Sequence, residues 1–284
     1  MIWNLITPLS STGTAVAFIR VTYPAGATCT AKLSSVTLQA PDTSGYWIVK
    51  VPTTGKWDVT AVDGTSSVTD SVRVTARAQS FTITLSFRVP TAYREVEYLQ
   101  SSGTQYINPG FVWQSDLSKR INIKFALLDN ITHSVGGTYV SQTGGSSILG
   151  FPAYLEGNGL YYNVAAGDYA LSSATVNGIM TTIFNNASHQ VLENGTTKMT
   201  ITHTTYSCAL PFFLFAVNVD GNAGYMGKTR IYYFQYIDNN TNELLADYIP
   251  VYRKSDTVYG FWDAVSETFI TNSGTGSFTG GSAV

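Results

Sequence analysis

The stretch GNAGYMGKTRIYYFQYID, residues 221–238, carries two competing readings, and the choice between them decides the fold. Its first ten residues look like a phosphate-binding loop, a glycine-rich run closing on Gly-Lys-Thr. Such a loop needs G-x-x-x-x-G-K-[ST] between a strand and a helix. Counting back from Gly227, the first glycine belongs at 222, where the chain has Asn222; the glycines are Gly221 and Gly224. After Thr229 the chain runs RIYYFQYID, whose isoleucines and aromatic residues favour a strand, so no helix N-terminus is on offer to a phosphate. The stretch reads as a connection leading into a β-strand, and nucleotide binding is excluded.

The same pattern extends outward. Sustained i, i+3, i+4 apolar spacing is missing, and Val, Ile, Thr, Tyr and Phe dominate short runs separated by Gly, Asn, Asp and Ser. The expected fold is all-β. After an N-terminal arm (1–13), residues 14–88 hold TAVAFIRVTYP, GYWIVKVP, KWDVTAVDG, SVTDSVRVTA and SFTITLSF, spaced as in a small immunoglobulin-like β-sandwich. Trp47 and Trp57 are then core or edge residues, a reading set against a binding role. Residues 89–93, with Pro90, form a short linker. Residues 94–284 carry about a dozen strand candidates, including INIKFAL, GGTYVSQ, GLYYNVA, PFFLFAVN, LLADYIPVYR and TVYGFWDAV, which suit a concanavalin A-like or jelly-roll β-sandwich. LENGTTK reads as a hairpin turning at Asn194-Gly195.

Composition narrows the partners. Charged residues are 12% of the 284, about half the usual share, and the net charge is −2. Up to Arg88 there are seven Lys or Arg against four acids, and beyond it nine against fourteen. Neither part is basic enough to follow a phosphate backbone, so nucleic acid is not an expected partner. No apolar run approaches a membrane span, and MIWNLITPLSSTG has no basic n-region of a leader. Cys29 and Cys208 fall in different units, which argues against a disulfide between them.

The candidate chemistry is sparse. In EVEYLQ (95–100), Glu95 and Glu97 would share a strand face about 6.6 Å apart at ~3.3 Å per residue. They invite comparison with the Glu-x-Asp-x-x-Glu strand of retaining glucanases. Glu97 replaces the central acid and Gln100 the last, and an amide can neither protonate a leaving oxygen nor take the proton back. His133, His189 and His203 are dispersed. Asp168, Asp220 and Asp263 are isolated, so no D-x-D-x-D calcium loop is present, and no cofactor is expected beyond an allowance for structural Ca²⁺. Binding through rings and hydroxyls is the better-supplied chemistry. AYLEGNGLYYNVAAGDY (153–169) gathers Tyr154, Asn158, Tyr161, Tyr162, Asn163, Asp168 and Tyr169, a candidate glycan-binding set. Ordinary sheet packing is the competing reading of those tyrosines.

Two segments bracket the second unit: YREVEYLQSSGTQYINPGF (93–111) and TRIYYFQYIDNNTNELLADYIPVYRKSDTVYGFWDAVSETFITNSGTGSFTGG (229–281). Together they resemble the concanavalin A-like, laminin-G-like domain of tailed-bacteriophage structural proteins of gut Firmicutes. Val251 stands where that pattern often has Cys. YPAGATCTA and the run through KWDVTAVDG are similar to the immunoglobulin-like or carboxypeptidase-regulatory-like modules of the same proteins. The resemblance implies a non-enzymatic virion surface protein on a tail, baseplate, fibre or head. It would be made in the host cytoplasm without a leader. The first module would dock to other virion proteins, and the second would bind host cell-surface glycan. A homo-oligomer is implied, a trimer being favoured in fibres. A purely structural virion role and a glycan-degrading enzyme on the same fold are the alternatives.

Overall fold

The structure is a computed structural model. It describes residues 17–64, 66–112, 119–129, 134–142, 145–151, 154–156, 159–164, 167–173, 177–185, 190–194, 196–200 and 209–284; within 140–173, 184–193 and 198–200 it describes the backbone alone. Every regular element described is a β-strand, as the spacing of apolar residues requires. The chain divides into two compact units, Met1–Thr91 and Ala92–Val284. The expected N-terminal arm lies outside the described residues.

In the first unit, Ala17–Thr22 lies between Tyr46–Val51, antiparallel, and Gln79–Thr84, parallel. A second sheet runs Val36–Gln39, Thr28–Leu33, Gly55–Asp63, Ser66–Val74. Alternation does the folding here. Trp47, Val49 and Val51 face inward while Tyr46 and Ile48 are exposed, and Trp57, Val59 and Ala61 meet them from the other sheet in one core. Trp57 is fully buried, and its indole Nε1–H donates to the carbonyl of Thr53 at 3.1 Å. Cys29 is a free thiol in this core, where burial pushes its pKa up to about 11 and makes it unreactive. Two of the strands, Thr28–Leu33 and Val36–Gln39, were not among the expected runs. They are short and half polar, and their turn is Ser34-Ser35, with Ser34 at φ 50°, in place of the usual Gly or Asn.

The second unit is a sandwich of two sheets. The larger follows the order Thr196–Thr200, Gln190–Glu193, Ile179–Asn185, Lys119–Leu127, Thr229–Asp238, Leu244–Arg253, Tyr259–Asp263, Thr268–Thr271, with Tyr93–Glu95, Leu99–Gln100 and Thr279–Gly280 added beside it. The smaller contains Tyr154–Glu156, Gly159–Val164, Gly145–Phe151, Gly136–Gln142, Val217–Val219 and Asn222–Gly224 in order, with Gly167–Ser173 and Phe213–Leu214 alongside. PFFLFAVN, read as one strand, is two, because Phe215 takes φ 65° and breaks the pairing. Ile121, Ile123 and Phe125 point inward from one central strand, and Ile231, Phe234 and Tyr236 from its neighbour. Their rings join a continuous aromatic core. Phe234 lies 5.8 Å from Phe111, 6.0 Å from Phe212 and 5.3 Å from Tyr248, and Tyr248 continues to Phe261 at 6.0 Å.

Pro250 stands within the ten-residue strand Leu244–Arg253, where a proline should break the ladder. Pairing with Thr229–Asp238 ends at Tyr248 and pairing with Tyr93–Glu95 begins at Val251. The proline occupies the changeover, where its carbonyl accepts from the Val96 N–H at 3.0 Å and no N–H is needed in return.

The segments that bracket this unit in sequence clasp each other in space. Gln105, buried, accepts at Oε1 from the Ser102 N–H (2.7 Å), and its Nε2 donates to the carbonyl of Thr275 (3.2 Å). Asn272 Oδ1 accepts from the N–H groups of Tyr106 (3.2 Å) and Gly274 (2.8 Å). Gly274 has no room for a side chain, since a Cβ would stand 2.3 Å from the Thr104 carbonyl oxygen. In YRKSDTV, the Arg253 guanidinium grips Asp256 twice, Nε to Oδ1 at 3.0 Å and Nη2 to Oδ2 at 2.6 Å, and holds its carboxyl below the usual range. These motifs therefore have a structural use: Gln105, Asn272 and Gly274 tie the two segments together, and Arg253–Asp256 fixes a turn. Gln105→Ala should cost about 2 kcal/mol in urea unfolding, since it removes the bonds to Ser101, Ser102 and Thr275 together and leaves the buried Ser101 hydroxyl short of a partner; a change below roughly 0.5 kcal/mol would show the clasp to be incidental.

Candidate functional site

The strand Thr229–Asp238 builds the site through a fault in its own alternation. Its register with Lys119–Leu127 passes from Lys124↔Tyr233 to Phe125↔Ile231, leaving Tyr232 as an extra residue. This is a β-bulge. It lets Ile231 and Phe234, three apart, both reach the core at 0% exposure, and puts Tyr232 and Tyr233 side by side on the outer, half-buried face. Tyr233 is drawn into partial burial, which raises its hydroxyl pKa against the opposing effect of a hydrogen bond with Thr181. Tyr232 meets Tyr98 edge-on, with ring centroids 5.4 Å apart.

Two cations flank this ring pair. The Arg230 guanidinium carbon lies 4.4 Å from the Tyr98 ring centroid, and its Nε–H donates to Gln100 Oε1 at 2.7 Å. Lys124 Nζ lies 5.3 Å from the Tyr232 centroid. Together Glu97, Tyr98, Lys124, Ile179, Arg230 and Tyr232 line an open groove of about 530 Å³ that crosses four neighbouring strands of the larger sheet. That volume is of the size of small-ligand sites, about 300–1,000 Å³. Ile179 is 51% exposed and gives the groove an apolar rim. Among the described residues, neither Arg230 nor Lys124 has a carboxylate within ion-pair distance, and Glu97 has no cation. By contrast Lys228, the lysine of the mistaken phosphate loop, is 3.7 Å from Asp129.

The C-terminal tail props one wall. Gly281 donates its N–H to the Tyr98 carbonyl at 3.1 Å, and a Cβ there would come within 2.8 Å of both the Glu97 Cβ and the edge of the Tyr98 ring. Gly281→Ala should displace that ring and weaken ligand binding about tenfold while shifting unfolding by less than ~1 kcal/mol. Calorimetric titration beside a urea melt would separate the two effects, and unaltered affinity would show that the wall position is immaterial.

The residues named from sequence fare differently. Glu95 ends the strand Tyr93–Glu95, whereas Glu97 sits at a bend after the Val96 bridge; the two acids do not share one continuous strand, and only Glu97 lines the groove. The bend arises as the chain passes from pairing with Leu244–Arg253 to pairing with Thr229–Asp238. Asp263 is buried and accepts at Oδ1 from the N–H groups of Asp247 (3.0 Å) and Val265 (3.1 Å), so it fastens two strands and a turn. Asp220 follows a strand of the smaller sheet at φ 48°. Among the described residues no three His, Cys, Asp or Glu side chains gather as a metal site would need. His133, His189, His203, Cys208 and Asn158 lie outside the described residues. The backbones of Tyr154, Tyr161, Tyr162, Asn163, Asp168 and Tyr169 form a meander of the smaller sheet, with Tyr154 opposite Tyr161, Tyr162 opposite Tyr169 and Asn163 opposite Asp168.

Sequence reasoning missed Tyr98, Lys124, Arg230 and Tyr232 as a group. One signal was present: in IYYF the inward residues stand three apart, an interval strict alternation cannot satisfy without a bulge.

No family model matches the chain, and none of the curated proteins matches it. Among solved structures, it is similar to a protein of Bacteroides ovatus described as a candidate carbohydrate-binding protein, at 10% identity and TM-score 0.42 over 94% of this chain and 93% of that one. It is also similar to a DUF3823 family protein from Parabacteroides merdae, at 12% identity and TM-score 0.20 over 63% of this chain and 91% of that one. A DUF3823 family protein from Bacteroides ovatus matches at 10% identity and TM-score 0.18, over 69% and 94% of the two chains.

Proposed function

We propose that the second unit is a non-catalytic saccharide-binding module whose ligand lies in the groove of Tyr98 and Tyr232. The observation that carries this reading is the ring pair set among charged groups that have no ion-pair partner among the described residues. A pyranose has an apolar C–H face that packs on an aromatic ring and a rim of hydroxyls that need donors and acceptors. The tyrosines and Ile179 serve the first, and Glu97, Lys124 and Arg230 the second. Hydrolysis by paired acids calls for two carboxyl groups about 5–10 Å apart across the sugar. The groove lining has one, Glu97, which supports binding without turnover.

The resemblance of residues 93–111 and 229–281 to phage structural domains supports a further step: the ligand is a glycan of a host cell surface, and the protein is carried on a virion. A purely structural virion role competes with it, but leaves the charges around the rings unused. Screening the full chain on a glycan array tests the binding claim. Saturable binding to a saccharide class, lost in Tyr232→Ala, is expected; no binding by folded protein would favour the structural role. Adsorption of labelled protein to gut Firmicutes cells, reduced when wall glycans are stripped, would support the host assignment.

A further inference from the structure

We infer that the groove selects an acidic saccharide, one whose sugar ring carries a carboxylate of the uronic-acid class. This deepens the saccharide-binding reading and rests on it. The charges that line the groove are Lys124, Arg230 and Glu97, two cations against one carboxylate. A neutral sugar can use such groups as hydrogen-bond donors, but it leaves the excess positive charge uncompensated. A carboxylate on the ring removes it.

Arg230 is prepared for that role. Its Nε is taken by Gln100 at 2.7 Å, and its plane is held 4.4 Å from the Tyr98 ring. A guanidinium fixed on two sides loses little further freedom when it binds, and its terminal nitrogens remain for a carboxylate in fork geometry. Lys124, at the Tyr232 end, adds a second positive charge beside the other ring. The cations therefore stand next to the surfaces on which the sugar stacks, so that one ring can be stacked and have its carboxylate neutralised at once. An interaction in so open a groove must weaken with salt, because exposed charges are screened over about 10 Å at 0.1 M. Glu97 on the same lining faces the hydroxyls.

Calorimetric titration of the full chain with oligogalacturonate, with the same oligomer after reduction of its carboxyls to alcohols, and with a sugar-free glycerol-phosphate oligomer tests this. The uronate should bind at least tenfold tighter than the reduced oligomer, and the difference should shrink severalfold between about 0.05 and 0.5 M salt. Arg230→Gln and Lys124→Gln should each lose most of the preference while retaining the unfolding midpoint of the parent. Equal binding of the uronate and its reduced form would overturn the acidic-sugar inference and leave the saccharide reading standing. Binding of neither would overturn the acidic-sugar inference, and with no saccharide bound on the glycan array it would overturn the saccharide reading as well. Glycerol phosphate binding as tightly as the uronate would also overturn the inference, since an anion alone would then suffice without a sugar ring.

Discussion

Tyr232→Ala should abolish most of the proposed saccharide binding, roughly a 30-fold loss of affinity or about 2 kcal/mol, while the protein keeps its fold. Tyr232 is the extra residue of a bulge, so its side chain serves the outer face and not the core. Removing it takes away half the stacking platform, the edge contact with Tyr98 and the ring beside Lys124. Tyr232→Phe keeps the ring and should retain most of the affinity, which separates stacking from hydroxyl hydrogen bonding. Full affinity in Tyr232→Ala, measured by titration with the tightest array ligand, would mean that the groove is not the site.

Two residues along the same strand, the expected effect is on folding instead. Phe234→Ala should destabilise the second unit by about 3–5 kcal/mol, because it empties a fully buried site and removes ring contacts to Phe111, Phe212 and Tyr248 together. Against a typical total of about 5–15 kcal/mol, that is enough to bring the unit near its unfolding threshold. Urea unfolding followed by near-ultraviolet circular dichroism reads it directly. A loss below about 1 kcal/mol would show that the aromatic core collapses around the gap. The contrast of Tyr232 with Phe234 also tests the bulge. A strand in strict alternation would place both on one face and give both substitutions the same kind of effect.

Strand identity was legible wherever apolar alternation was strong. GYWIVKVP, which alternates, and GGTYVSQ and LLADYIPVYR, the latter a continuous buried run, coincide with observed strands almost residue for residue. Legibility failed where the deciding interaction was distant in sequence or lay in the backbone. The strands Thr28–Leu33 and Val36–Gln39 carry few apolar residues and a turn without Gly or Asn. Phe215 breaks an apolar run through a positive φ that no residue type announces. The groove draws on Tyr98, Lys124, Ile179 and Arg230, which meet only after four strands align, so no local motif marks it. The bracketing motifs were conspicuous for another reason, since Gln105, Asn272 and Gly274 fasten one end of the unit to the other.

A crystal structure of the full chain with its tightest array saccharide should show a sugar ring stacked on Tyr98 and Tyr232, with Arg230 and Lys124 on its polar edge. A saccharide seated instead on the smaller sheet along residues 154–169, with the Tyr98–Tyr232 groove empty, would contradict it.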